Sequence, residues 1–195
     1  MEITTTQIKE LRDKTGISVM QCKKALEEAG GDMEKAILIL QKNSKATALK
    51  KTERTLGSGV VQSYIHSTGS VGVLVELMCE TDFVAKNEDF KKLAYDIAMH
   101  IAAADPQYLS KEDVSAEARK SAEEVFAGEV EGKPEELKAK ILEGKLNSYF
   151  GERSLLDQPY IKNPEVTVRG LVEGAVQKFG EKTEIGRFAR FSTKK

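Results

Sequence analysis

Near residue 57 the apolar period of the chain changes from about 3.6 residues to 2, and this switch constrains the fold more than any other feature. Before it stand three short helical patterns. Thr5 or Thr6 is placed to cap a helix through about Lys14 with Ile8 and Leu11 on its apolar face, and Gly16 ends it. Ser18 opens a second, in which Val19, Cys22, Ala25, Leu26 and Ala29 share one side until the Gly30-Gly31 pair stops it. Asp32 opens a third, with Met33, Ala36, Ile37 and Leu40 at helical spacing, and from residue 41 the pattern dissolves into the polar QKNSKATALKKTERTLGSG. The reading is a three-helix unit over residues 1–45 and a charged linker over 46–56.

Beyond the linker, Val60, Gln62, Tyr64 and His66 alternate with Val61, Ser63 and Ile65, STGS turns the chain, and residues 71–78 read as a buried strand. Asn87 is placed to cap a helix whose stripe is Phe90, Leu93, Ala94, Ile97 and Ile101, and which covers one face of the hairpin. Helices follow over about 115–131, 134–149 (opened by Pro134) and 166–179, and a last strand over 184–192. The expected class is α+β: a three-helix N-terminal unit, then a core over 57–195 in which a three-stranded antiparallel sheet packs with helices.

Composition removes several functions. No run reaches the 18 or so consecutive apolar residues of a membrane span, because Glu76 and His100 interrupt the two best stretches. The opening MEITTTQIKE lacks the basic-then-apolar order of a secretion signal, and two cysteines are too few for a disulfide framework, so a reducing cytoplasm is expected. With 30 basic and 31 acidic side chains there is no field to hold a polyanion, and no direct nucleic-acid partner is expected.

Catalytic and cofactor readings are weak. His66 falls at a strand end and His100 in an alanine-rich helix, both as structural or surface residues. Cys22 and Cys79 fall on buried faces, where a thiol behaves as a small apolar group. These four residues lack zinc spacing, and the glycines at 57–59 and 68–72 match neither phosphate-loop pattern. No enzyme activity, metal or cofactor is expected. Two features exceed this background. Met20 is turned about 100° from Val19, away from the apolar stripe and onto a face with Lys23, Lys24 and Glu27, which suits an adaptable interface contact. The segment ETDFVAKN, residues 80–87, places Phe83 beside Asp82; the ring either packs with the stripe of the following helix or projects as an interface anchor.

TGISVMQCKKALEEAGGDMEKAI at 15–37, ETDFVAKNEDF at 80–90 and SLLDQPYIKN at 154–163 closely resemble bacterial translation elongation factor Ts, and the resemblance runs from the first helix through RFARF in the last strand. It implies a guanine-nucleotide exchange factor for elongation factor Tu, binding both its GDP-bound and nucleotide-free forms, with a ubiquitin-associated-like N-terminal domain. It implies that Thr81, Asp82, Phe83 and Val84 work on Tu's magnesium site, the phenylalanine wedging between helices so that Mg²⁺ is dislodged. It also implies an N-terminal contact through Arg12, Val19 and Met20; Val19 and Gln21 depart from the commoner Met-Met-Asp run. Long members carry two core halves and short members pair two chains; one half is legible here, so a homodimer is implied. The rival reading is a protein-interaction module without exchange activity.

Overall fold

The computed structural model describes residues 3–130 and 134–193. In chain order the elements are α1 Thr5–Thr15, α2 Val19–Glu28, α3 Met33–Leu49, β1 Ser58–Ile65, β2 Val71–Cys79, α4 Asp82–Ala85, α5 Glu88–Ala104, α6 Ala116–Ala127, α7 Glu135–Arg153, β3 Pro159–Tyr160, β4 Asn163–Thr167, α8 Val168–Phe179 and β5 Thr183–Ser192. The α+β class and the three-stranded antiparallel sheet are as expected.

Helix α1 starts one residue earlier than Thr5 or Thr6 would allow, because only Thr4 has a glutamine three residues on. Its hydroxyl accepts from the Gln7 backbone N–H at 3.3 Å while the Gln7 side-chain oxygen Oε1 accepts from the Thr4 N–H at 3.0 Å, a reciprocal cap. Gly16 closes the helix at φ 68°, a left-handed position that disfavours any side chain. Leu11, Cys22, Leu26, Ala36 and Leu40 make the core of the three helices. Val19 is not part of it: it lies at the free first turn of α2 and is 52% exposed, so angular position alone does not bury it. Helix α3 continues to Leu49, well past the point where its apolar pattern fades. Buried Ser44 explains the extension, since its hydroxyl bonds the Leu40 carbonyl at 2.9 Å and contacts Gln177 of α8, so tertiary packing sustains a stretch that reads as linker.

The sheet order is β1-β2-β5, all antiparallel, with Tyr64 opposite Val73 and Val75 opposite Phe188. Its inner face, Val73, Val75, Leu77, Cys79 and Ile185, packs on the α5 residues Phe90, Ala94, Ile97 and Ile101. Phe90 meets Phe179 of α8 edge-on at 5.6 Å. Strand β2 is therefore buried on one face and not on both. On the other, Val61, Ile65, Leu74 and Phe191 stay exposed.

Helix α6 ends at Ala127 and runs into a 3₁₀ turn, Gly128–Val130; the expected end at residue 131 lies outside the described residues. Helix α7 extends to Arg153, with Pro134 as its N-cap and not its first helical residue. The two helices form a small core of Ala122, Leu146 and Phe150. The β3–β4 pair is absent from the sequence reading, and it delays α8 to Val168, which Thr167 caps through the Gly170 N–H at 3.1 Å. His100 is fully buried: Nε2 bonds the Gln158 side-chain oxygen at 2.9 Å and Nδ1 accepts from the Ile161 N–H at 3.3 Å.

Candidate partner-contact site

Residues 80–87 join β2 to α5 through the single helical turn α4. Within that turn the chain is sorted sharply: Val84 and Ala85 face the core, while Asp82 and Phe83 face solvent and Phe83 is 81% exposed. The open alternative for Phe83 is thereby resolved, since the ring projects and does not pack with the α5 stripe. Val84 anchors the turn from below, so any effect it has on a partner is through position.

A four-residue helix cannot hold its own orientation, and here its entrance is tied down from a distant segment. One carboxylate oxygen of Glu181 accepts from the backbone N–H groups of both Glu80 (3.1 Å) and Thr81 (3.0 Å), and the other accepts from the Thr81 hydroxyl at 2.6 Å. The Cys79 thiol donates to the Thr81 carbonyl at 3.2 Å. Next to it, Glu80 accepts from the Lys182 N–H at 2.5 Å and pairs with Arg54 at 3.2 Å; that N–H first, and then Arg54, hold its carboxyl below the usual carboxylate range. Asp82 is held below its ordinary value by Lys86, at 2.5 Å, so it presents a charged carboxylate beside the Phe83 ring. Burial, and after it the charge of Glu181, push the Cys79 thiol up; burial does the same for Cys22. Neither is poised as a nucleophile.

The second cluster surrounds the α1–α2 turn. Arg12 is exposed in the last part of α1, and Val19 and Met20 open α2, Met20 at 83% exposure. Ser18 fixes the start of α2 by accepting from the Gln21 N–H at 3.4 Å, which turns Met20 outward. The end of α8 lies close to the α1–α2 turn. A side chain at Gly16 would come 3.6 Å from the Lys178 ammonium, which itself pairs with Asp89 of α5 at 2.9 Å. Lys51 donates to the Gly180 carbonyl and Lys182 to the Thr52 carbonyl, each at 2.7 Å. The structure thus gathers Thr81, Asp82, Phe83 and Val84 in one turn, braced by Glu181 and Lys182, and Arg12, Val19 and Met20 around another.

Sequence reasoning did not find Glu181. Its partners lie 100 and 101 residues away, and a glutamate after a helix-ending glycine carries no local signal. Among the described residues no group of three or more His, Cys, Asp or Glu is placed to hold a metal ion, and no helix is long and apolar enough to cross a membrane.

A sequence profile of the family described as Elongation factor TS matches residues 3–195. The chain belongs to the elongation factor Ts family. It is 50% identical over 192 residues to elongation factor Ts of Thermodesulfovibrio yellowstonii, covering 98% of this chain and 96% of that protein. Elongation factor Ts of Carboxydothermus hydrogenoformans is 51% identical over 191 residues, 97% of this chain and 88% of the relative. That of Thermotoga petrophila is 46% identical over 191 residues, at 98% and 96% coverage. The chain is a factor of translation elongation, and both exposed clusters fall inside the matched stretch.

Proposed function

We propose that the chain is the guanine-nucleotide exchange factor of elongation factor Tu, and that the Phe83 turn delivers the exchange. The observation that carries this reading is a large aromatic ring left 81% exposed on a turn that is buried beneath and hydrogen-bonded at its entrance. A ring held outward on a fixed base is suited to enter a partner's pocket, because little entropy remains to be lost on docking. In this reading Arg12, Val19 and Met20 hold Tu's nucleotide-binding domain, Phe83 wedges between its helices, and Thr81, Asp82 and Val84 fix the ring's approach. The wedge displaces the Mg²⁺ that ties the phosphates to Tu, GDP leaves and GTP enters. No covalent bond changes, and the chain itself carries no cofactor.

The energetics are those of linkage. The chain speeds GDP release by binding nucleotide-free Tu more tightly than Tu·GDP, and GDP must weaken the chain's binding by the same factor. A ratio of about 10⁴ between the two states requires about 5.5 kcal/mol of differential affinity. One phenylalanine supplies at most about half of that, so loss of the metal's hold on the phosphates and the α1–α2 contacts supply the rest.

The three-helix unit, which with the whole of α3 runs to Leu49, the connector behind it and the core beyond serve this division of labour, with contact from the first and displacement from the last. The uncovered sheet face supports a homodimer. Val61, Ile65, Leu74 and Phe191 lie on that face with Ala189, bordered by the Arg187–Glu76 ion pair at 3.2 Å. Two copies meeting through it would bury an apolar surface that a lone chain leaves in water. The site of action is the cytoplasm, in keeping with two free, buried thiols. The test is release of a fluorescent GDP from Tu: acceleration by substoichiometric chain supports exchange, and binding without acceleration makes the protein an interaction module instead.

A further inference from the structure

We propose that Glu181 is a positioning residue for exchange, its carboxylate presetting the turn that carries Phe83. The inference rests on the proposed role of that ring, and it begins from an oddity in the capping of α4. Thr81 is the N-cap of that helix, with φ −125° and ψ 157°, yet its hydroxyl makes no cap bond. The hydroxyl donates instead to Glu181, away from the helix it precedes. The N–H groups of Glu80 and Thr81 converge on the other oxygen of the same carboxylate. All three bonds are charge-assisted, the strong class, and they converge on the two residues that precede the α4 helix.

Glu181 has no competing duty. Among the described residues no Lys or Arg pairs with it, whereas neighbouring Glu80 is engaged by Arg54 and the Lys182 N–H. The carboxylate is also well mounted. It follows Gly180, whose φ of 71° ends α8 and turns the chain back toward β2, and α8 is packed into the core through Val168, Val172 and Val176. With Val84 and Ala85 seated in the core, Glu181 supplies the second fixed point, and two points determine the direction in which a single turn projects its ring. Without it the turn keeps its seat but loses its angle. A ring that must enter a narrow cleft is sensitive to such an error, because a displacement of about 1 Å at a working group costs up to about 100-fold in rate.

Glu181→Ala and Glu181→Gln are compared with the parent in GDP release from Tu at varied factor concentration, with Phe83→Ala and the Phe83→Ala/Glu181→Ala double variant alongside. Glu181→Ala is expected to lower the maximal release rate by about tenfold while the half-saturating concentration moves by less than about twofold, since the α1–α2 contacts that set encounter are untouched. Glu181→Gln retains an oxygen for the two N–H groups and is expected to restore most of the rate. In the Phe83→Ala background the second change is expected to do nothing more. Hydrogen exchange at the Glu80 and Thr81 amides in the free protein is expected to speed up in Glu181→Ala. Should that variant unfold, Glu181→Asp, shorter by one methylene, takes its place with the same expected direction. Parent-like release by Glu181→Ala or Glu181→Asp, with Phe83→Ala impaired, overturns this inference and leaves the exchange reading standing. Additive losses in the double variant overturn it as well. Parent-like release by Phe83→Ala overturns the role of the ring and this inference together.

Discussion

Replacing Phe83 with alanine separates stability from exchange, because so little of the ring is used by the fold. Fully burying a phenylalanine is worth about 1.5–3 kcal/mol. With 81% of the residue still in water, about four-fifths of that, roughly 1.2–2.4 kcal/mol, is left for a partner to collect. Converted to rate or affinity, the loss on truncation is roughly 8- to 60-fold. The fold itself forfeits only the remainder, about 0.3–0.6 kcal/mol, or about 1–2 °C in Tm for a chain of this size. The contrast is Phe90, whose ring is fully buried against Phe179 and whose truncation costs about 3–5 kcal/mol. Stopped-flow release of a fluorescent GDP from Tu, paired with thermal melts of the free variants, reads both quantities. A Phe83→Ala protein that exchanges like the parent, or that melts as early as Phe90→Ala, would show that the ring serves the fold and not the partner.

Met20→Ala is expected to weaken Tu binding several-fold with an almost unchanged Tm, as the side chain is 83% exposed; equal losses of both would place it in the helical core. Stability should fall as pH drops below about 6.5, because the unfolded chain then takes up a proton at His100 that the folded chain refuses. Burial pushes this imidazole down, and its Nδ1 already accepts from the Ile161 N–H, so the stability it lends is present above the unfolded pKa and lost below it. Urea midpoints between about pH 7.5 and 5.5 test this against His100→Asn, and parallel curves for the two proteins would exclude His100 as the cause. Leu74→Glu on the open sheet face should abolish the proposed dimer in light scattering without altering the melt of the monomer. A parent mass of 21.5 kDa at every concentration would dismiss the dimer itself.

The parts of the site that sequence reveals are those set by local periodicity. Met20 is legible because ten residues of α2 define an apolar stripe from which it is visibly displaced. Phe83 stands out by type but its orientation does not, because α4 has four residues, too few to show a period, and only the burial of Val84 and Ala85 shows which way it faces. The tail of α3 reads as linker since its stabilising contacts come from α8, in keeping with helical stability arising mainly from tertiary packing. The β3–β4 pair escapes for a related reason: Pro159–Tyr160 is too short to alternate, and Pro164 argues against a strand until its place in a two-stranded pair is seen. Val19 errs the other way, carrying the angle of a core residue at a helix end with nothing over it. Glu181 lies beyond any local pattern.

Exchange of this kind is a coupling between two ligands of Tu, read by the Kd of this chain for Tu prepared with Mg²⁺ and GDP and for Tu stripped of nucleotide. Much tighter binding to the stripped form is expected, by the same factor with which the chain weakens GDP binding in the reciprocal titration. Equal Kd values with and without GDP would contradict it, whatever the affinity.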